Sequence, residues 1–236
     1  MKGNQSVSLS RQITYFAILA ALTVVLQLFA SAIPIGDGAS LNLTLIPIVV
    51  TAMLLGVWYA TAIGFISGII TMIQVVSGAG GIFSVLFTYY PVVMILICVL
   101  KITVAAFIGA IVFKAIKRKF VATFVSAGIV PVVNTLIFIL GMLIVSNRLP
   151  EAAIEVGIEM ENSAFLFIIL ILVGVNFFIE FGVNLIVAPA LYKAVRVIDK
   201  GFDSETEIQN DNEIKTETND DMIDNNPEGE NDVIDD

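Results

Sequence analysis

The chain has 236 residues, of which 58% are hydrophobic and only 14% are charged, and its mean hydropathy is +0.95. Soluble domains carry about 25% charged residues, so this composition excludes an ordinary soluble domain and indicates a membrane protein with several spans. The sequence has no histidine and one cysteine, Cys98, which excludes an internal disulfide and a histidine-based metal site. We expect Cys98 to be a buried, inert thiol, and we expect neither a metal nor a cofactor.

Six apolar segments can be assigned as membrane-spanning helices by their length. They are residues 12–32, 41–56, 58–77, 84–113, 120–146 and 164–192. The second is short, so we expect it to be tilted or partly irregular. The fourth and sixth are long and should tilt or extend beyond the bilayer. The predicted fold is therefore an all-α membrane protein, a bundle of six transmembrane helices.

Basic residues predict the orientation of this bundle. They cluster before the first segment, after the fourth in "KAIKRK", and after the sixth. With six spans the three clusters fall on one side, which the positive-inside rule makes cytoplasmic, so both termini should be cytoplasmic. On the opposite side Glu151, Glu155 and Glu159 have helical spacing, and we expect a short surface helix there.

The net charge of −9 is unevenly distributed along the chain. Residues 1–200 hold 11 Lys and Arg and 7 Asp and Glu, whereas residues 201–236 hold 1 and 14. The second stretch has too little apolar content to fold alone. We therefore expect a cytoplasmic N-terminus at 1–10, a six-helix membrane domain at 11–198 and an acidic, disordered cytoplasmic tail at 199–236.

Two ionisable residues, Lys101 and Glu180, fall near the middle of predicted spans. A charge at membrane depth is costly, so each is a candidate for function. Their opposite charges suggest either a direct pair or a pair bridged by a substrate. The alternative is a plain ion pair that holds two helices together.

Three polar residues share one face of the sixth segment: Asn176, Glu180 and Asn184 recur at every fourth position. That face should point at protein or a cavity, not at lipid. In the fifth segment Pro131 should free a backbone carbonyl, and Asn134 offers a donor and an acceptor near mid-depth. The alternative for the polar face of the sixth segment is hydrogen bonding between helices. In the fifth segment the alternative is local repair of the helix that Pro131 interrupts, by Thr135 more plausibly than by Asn134.

The predicted outer ends carry aromatic and flexible segments. Tyr89 and Tyr90 are expected to anchor the interface, although one of them facing inward could stack on a ligand or bind it by hydrogen bonding. A first loop with Asp37 and Asn42, and the glycine-rich "SGAGG", suggest a lid, although glycines often serve only to reverse the chain.

Together these features resemble the S component, the substrate-binding membrane subunit, of energy-coupling factor (ECF) vitamin transporters, over residues 10–198. Six spans with both ends inside and the four-residue spacing of Ala17 and Ala21, which lets helices approach closely, are part of that resemblance. The other motifs are "LNLTLIPIVVTAMLLGVWYATAIGFISGI", "LKITVAAFIGAIVFKAI", "PVVNT" and "NFFIEFGVNLIVAPALYKAV".

The resemblance implies a function. Such a subunit captures a vitamin or related micronutrient with high affinity on the outer side of a prokaryotic cell membrane, and it works with a transmembrane coupling subunit and two cytoplasmic ATPases. It is not an enzyme, and this chain has no G-x-x-x-x-G-K-[ST] phosphate loop. The coupling-subunit contact would lie at Ala17 and Ala21. The substrate site would use Tyr89, Tyr90, Lys101, Asn134, Asn176, Glu180 and Asn184, with Lys101 at or below its floor.

Pantothenate is the first candidate substrate, with riboflavin and folate open, and no nucleic-acid partner is expected. The main alternative is a stand-alone secondary transporter or channel in which Lys101 and Glu180 form an ion or proton relay. An intramembrane enzyme is disfavoured because no serine has a base beside it and no metal motif is present. A purely structural scaffold would not need polar groups at this depth.

Overall fold

The computed structural model of the protein describes residues 9–32, 34–35, 39–40, 43–160, 163–174, 176–194 and 197. These residues are almost entirely helical, apart from one antiparallel ribbon in which Pro34–Ile35 (β1) pairs with Ala39–Ser40 (β2). The all-α membrane class predicted from the sequence is confirmed. Asp37, Asn42 and the predicted tail lie outside the described residues.

In the described part of the chain, seven α-helices precede the last span. They are α1 (Leu9–Ala32), α2 (Leu45–Leu54), α3 (Val57–Val76), α4 (Ile82–Tyr89), α5 (Pro91–Ala115), α6 (Lys119–Ile144) and α7 (Leu149–Glu155). The last span, Ala164–Ala194, begins as α-helix, is π-helical over Ile168–Gly174 and is α-helical again over 176–194. Residues up to Tyr192 group into one unit by their internal contacts, and the packing described below lies within it.

Five helices of the described chain are long and apolar enough to cross a membrane: α1, α3, α5, α6 and the last span. The second predicted segment instead forms α2, whose 10 residues rise about 15 Å, half the thickness of the hydrocarbon core. Nearly all of α2 is buried, and it turns into α3 at Gly56, whose φ of 94° favours glycine. The expected six spans are thus five full-length helices and one buried half-length helix.

The fourth predicted segment, 84–113, is wrong as a single helix. It divides into α4 and α5 at Tyr90, which has φ −134° and ψ 64°. A residue before proline is driven out of the α region because the proline ring clashes with it, whereas proline is favoured as the first residue of a helix. Pro91 therefore ends α4 and begins α5.

Glycines let three long helices approach closely. A Cβ atom added at Gly68 of α3 would lie 2.8 Å from the Val99 Cα atom of α5, and one added at Gly64 would lie 2.7 Å from the Ala106 Cβ atom. Gly141 of α6 is packed in the same way against Ile97 of α5. The central helix α5 thus lies between α3 and α6, held by the small-residue spacing that is common in membrane helix pairs.

The short helices α4 and α7 pack together at one end of the bundle. Ile82 and Leu86 of α4 are fully buried in a cluster that also contains Leu149 and Ala152 of α7. The helix predicted around the three glutamates is confirmed over Glu151 and Glu155 only, because it ends at Glu155. Cys98 is buried, as predicted.

Candidate functional site

The polar face of the last span points into the bundle. Asn176 and Glu180 are each 8% exposed and Asn184 is 1% exposed, whereas Phe178 is 72% exposed. The four-residue spacing therefore places the carboxylate and both amides on the protein side and the phenylalanine on the lipid side.

Asn184 repairs the break that proline makes in α6. Its Nδ2 atom donates a hydrogen bond to the carbonyl oxygen of Ala127 at 3.0 Å. Ala127 lies four residues before Pro131, and its carbonyl lacks the usual intrahelical donor because proline has no N–H group. Local repair by Asn134 or Thr135 is an expectation from the sequence, but the donor comes from a residue 57 positions away in the chain.

The packing register brings Asn134 and Asn176 to one level. The beginning of α6 meets the later part of the last span, because a Cβ atom added at Gly128 would lie 3.3 Å from Phe181. The end of α6 meets the earlier, π-helical part, because Met142 shares a buried cluster with Ile168. The two helices are therefore antiparallel. Asn134 lies about 10 Å beyond Ala127, and Asn176 about 12 Å before Asn184, at 1.5 Å per residue. Both amides thus lie about two turns from the Asn184 contact, in the same direction.

Three amide oxygens at this interface have no hydrogen-bond donor among the described residues. They are the Oδ1 atoms of Asn134, Asn176 and Asn184, and all three side chains are buried. A buried acceptor without a donor costs about 1–3 kcal/mol. Native structures retain such groups mainly where a water, an ion or a ligand satisfies them, so the α6–last-span interface is the candidate binding site.

Lys101 projects toward the same region from α5. Its Nζ atom lies 4.9 Å from the ring centroid of Phe138, which is one turn beyond Asn134 on α6. In the part of the chain that the structure describes, no ion pair joins Lys101 to Glu180. Lys101 is therefore on the α4–α7 side of the amides, whereas the sequence placed it at or below the floor of the site.

Tyr89 and Tyr90 contact residues at the end of the bundle and, among the described residues, form no hydrogen bond with Asn134, Asn176 or Asn184. The Tyr89 hydroxyl donates to Glu155 Oε1 at 2.9 Å, and the Arg148 guanidinium lies 5.4 Å from the Tyr89 ring. Asn147 Nδ2 donates to the Tyr90 hydroxyl oxygen at 3.0 Å. The hydrogen bond to Glu155 raises the pKa of Tyr89 above its ordinary value. These contacts fasten α4 to the segment around α7.

Sequence reasoning missed a buried polar network between α1, α2 and α3. Gln27 Nε2 donates to Thr71 Oγ1 at 3.2 Å and to Gln74 Oε1 at 3.1 Å. The Ser67 hydroxyl oxygen lies within hydrogen-bond distance of Thr44 Oγ1 at 3.0 Å and of Gln27 Oε1 at 3.3 Å. A glutamine in an apolar helix was a visible signal, since intramembrane amides commonly bind neighbouring helices.

Ala17 and Ala21 lie on the exposed face of α1, while Leu19 and Thr23 face the core. The small-residue spacing of α1 is thus not used for packing among the described residues, unlike Gly64 and Gly68 of α3.

A family model described as "ECF transporter, substrate-specific component" matches residues 11–192. The chain belongs to this family. No curated protein and no solved structure matches it. The resemblance found in the sequence is thereby confirmed. The protein is a multi-pass S component: the substrate-specific membrane subunit of an ECF transporter, which binds a small molecule and acts with partner subunits.

Proposed function

We propose that this S component captures a small polar vitamin between α6 and the last span, close to Lys101, with Asn134, Asn176, Glu180 and Asn184 lining the site. The observation that carries this proposal is the set of three buried amide oxygens at one helix interface for which the described residues supply no donor. A bundle that needed the amides only for packing would satisfy both ends of each one.

Pantothenate is the first substrate that we propose, because a site with amides, a carboxylate and a lysine suits a small hydroxylated acid. Riboflavin and folate are the other candidates. We propose that α4 and α7 cover the site at this end of the bundle, and that Tyr89 and Tyr90 contribute by holding α4 against the segment around α7.

The orientation follows from charge. Lys114, Lys117, Arg118 and Lys119 lie where α5 ends and α6 begins, and the positive-inside rule makes this the cytoplasmic end. The opposite end, with α4 and α7, then faces the outside of a prokaryotic cell membrane. We propose that both chain termini are cytoplasmic, as an even number of crossings requires.

Mass spectrometry of the small molecule that co-purifies with the protein tests this proposal, followed by titration with pantothenate, riboflavin and folate. We expect Glu180→Gln to weaken binding about tenfold or more while the protein still folds, because the carboxylate lies on the buried polar face. Phe178→Leu, two residues away on the exposed face, is the control. Equal affinity of Glu180→Gln and the wild type would assign Glu180 to helix pairing.

Energy for uptake is proposed to come from a coupling subunit and two cytoplasmic ATPases, with the coupling subunit contacting Ala17 and Ala21. Ala17→Leu or Ala21→Leu should leave ligand binding intact and block uptake, because a larger side chain prevents close approach of a partner helix. Ala190→Leu, at an exposed alanine of the last span, is the matched control. Normal uptake by both α1 variants would remove α1 from the mechanism.

The relay alternative has a distinct outcome. Uptake into proteoliposomes that contain this chain and no ATPase would show a stand-alone transporter and overturn the assignment of energy coupling to partners.

A further inference from the structure

The geometry points to a ligand of defined polarity. We propose that it presents hydrogen-bond donors to amide oxygens on α6 and the last span, and a negatively charged group to Lys101. This inference rests on the proposed function and deepens it, because it gives the orientation of the substrate and the groups that the substrate must carry: an elongated organic acid with hydroxyl or N–H groups.

The acceptor character of the site is firmest at Asn184. Only the NH₂ end of its amide can donate to the Ala127 carbonyl, so the remaining atom, Oδ1, is an acceptor. That oxygen is buried and has no donor among the described residues. The hydrogen bond to α6 therefore fixes the polarity that Asn184 shows to the rest of the bundle.

Asn134 and Asn176 extend this acceptor surface by about two helical turns. Their Oδ1 atoms are also buried without a donor in the described part of the chain, and the antiparallel register puts them at the same level. The Glu180 carboxylate, an acceptor when ionised, lies on the same buried face of the last span. Hydroxyl or N–H groups of a ligand would satisfy the three buried amide oxygens.

The cationic part of the site is Lys101. Phe138 is four residues beyond Asn134, so the contact of the ammonium with the ring lies about 6 Å further along α6. A cation–π contact is worth about 0.5–2 kcal/mol, which is less than the cost of a charge at membrane depth by most estimates. An anionic group of the ligand would supply the missing counter-charge.

The Lys101 ammonium and the amide oxygens lie at different depths along the α6–last-span interface. The ammonium is on the α4–α7 side of the amides, and Asn184 is on the far side, near Ala127. The ligand should therefore lie along the α6–last-span interface with its acidic end toward α4 and α7 and its donor groups deeper. A ligand without donors does not fit this arrangement, and among the three candidates the acids pantothenate and folate fit it better than neutral riboflavin.

Pairs of ligands that differ in one group test the charge. Pantothenate and pantothenol differ only in the replacement of the carboxylate by a CH₂OH group, and biotin and biotin amide form a second pair. We expect the wild type to bind an acid at least tenfold more tightly than its neutral counterpart. Lys101→Met should reduce this preference to within about twofold, while Lys101→Arg, which keeps the charge, should retain most of it.

Variants at the amides test the donor requirement. Asn134→Leu and Asn176→Leu keep the approximate side-chain volume and remove the acceptor, and each should weaken binding of the preferred acid about tenfold or more. Neither residue bonds the Ala127 carbonyl, so folding should be retained, as checked by gel filtration. An O-methylated derivative of that acid should bind at least tenfold more weakly to the wild type, and this penalty should shrink in the variants.

The outcomes separate the two proposals. If the neutral member of each pair binds the wild type as tightly as the acid, or if the O-methyl derivative binds equally well, the polarity is wrong even though the site binds a ligand. If the polar-face variants leave binding of the co-purified ligand unchanged, the proposed site itself is wrong.

Discussion

Asn184 and Pro131 should be energetically coupled, although they lie in different helices. Asn184→Leu removes the side-chain donor that the structure gives to the Ala127 carbonyl in place of the backbone N–H group that Pro131 lacks. In a Pro131→Ala background the backbone N–H of residue 131 becomes available to the same carbonyl. The same Asn184 substitution should then be better tolerated.

The size of the destabilisation follows from the Ala127 carbonyl, which the substitution leaves without the amide donor. A buried carbonyl that loses its last donor costs about 1–3 kcal/mol in soluble proteins, and hydrogen bonds between membrane helices average about 0.6 kcal/mol with a maximum near 1.7. We therefore expect Asn184→Leu to lower the free energy of unfolding by about 1–2 kcal/mol. In the Pro131→Ala background this loss should be smaller by about 1 kcal/mol, which is about a fivefold change in the ratio of folded to unfolded protein.

A double-mutant cycle, measured by denaturant titration in mixed micelles, checks this coupling. The effects of losing proline and of changing side-chain volume occur on both sides of the cycle and cancel. Phe178→Leu combined with Pro131→Ala is the control cycle, and it should be additive because Phe178 is exposed on the other face of the helix. A coupling free energy for Asn184 and Pro131 below about 0.3 kcal/mol, within the usual scatter of additivity, would refute the idea that the amide repairs the helix.

Two further predictions concern helix packing. Gly68→Ala should lower the melting temperature of the detergent-solubilised protein by several degrees, because the new Cβ atom would lie 2.8 Å from the Val99 Cα atom. Gly182→Ala is the control and should not lower it, because the new Cβ atom meets nothing within 4 Å. Equal melting temperatures of the two variants would contradict the close approach of α3 and α5. Tyr89→Phe removes the hydrogen bond to Glu155 and keeps the ring beside Arg148, so hydrogen exchange in α4 and α7 should speed up, and unchanged exchange would count against the contact. Because the pKa of Tyr89 is raised in the folded state, the contribution of this contact is complete below the ordinary pKa of 10.0 and is lost as the pH rises through the higher folded value.

Much of the fold was predictable because length and periodicity are local properties. Apolar stretches of about 20 residues predicted the long helices, and the spacing of Asn176, Glu180 and Asn184 predicted a buried polar face. The break at Pro91 and the close packing at Gly64 and Gly68 also follow from known sequence rules. Hydropathy alone, however, predicts one continuous helix over 84–113 and does not single out the two glycines.

The sequence by itself determined the membrane class, the family and the face of the last span that turns away from lipid, because each depends on composition or on spacing within one segment. Only the tertiary structure decided that Asn184 bonds the carbonyl freed by Pro131, that Lys101 lies over Phe138, and that Tyr89 reaches Glu155. Each of these contacts joins residues of different helices, and periodicity within a helix specifies a face but not the partner or the depth at which that face meets another helix.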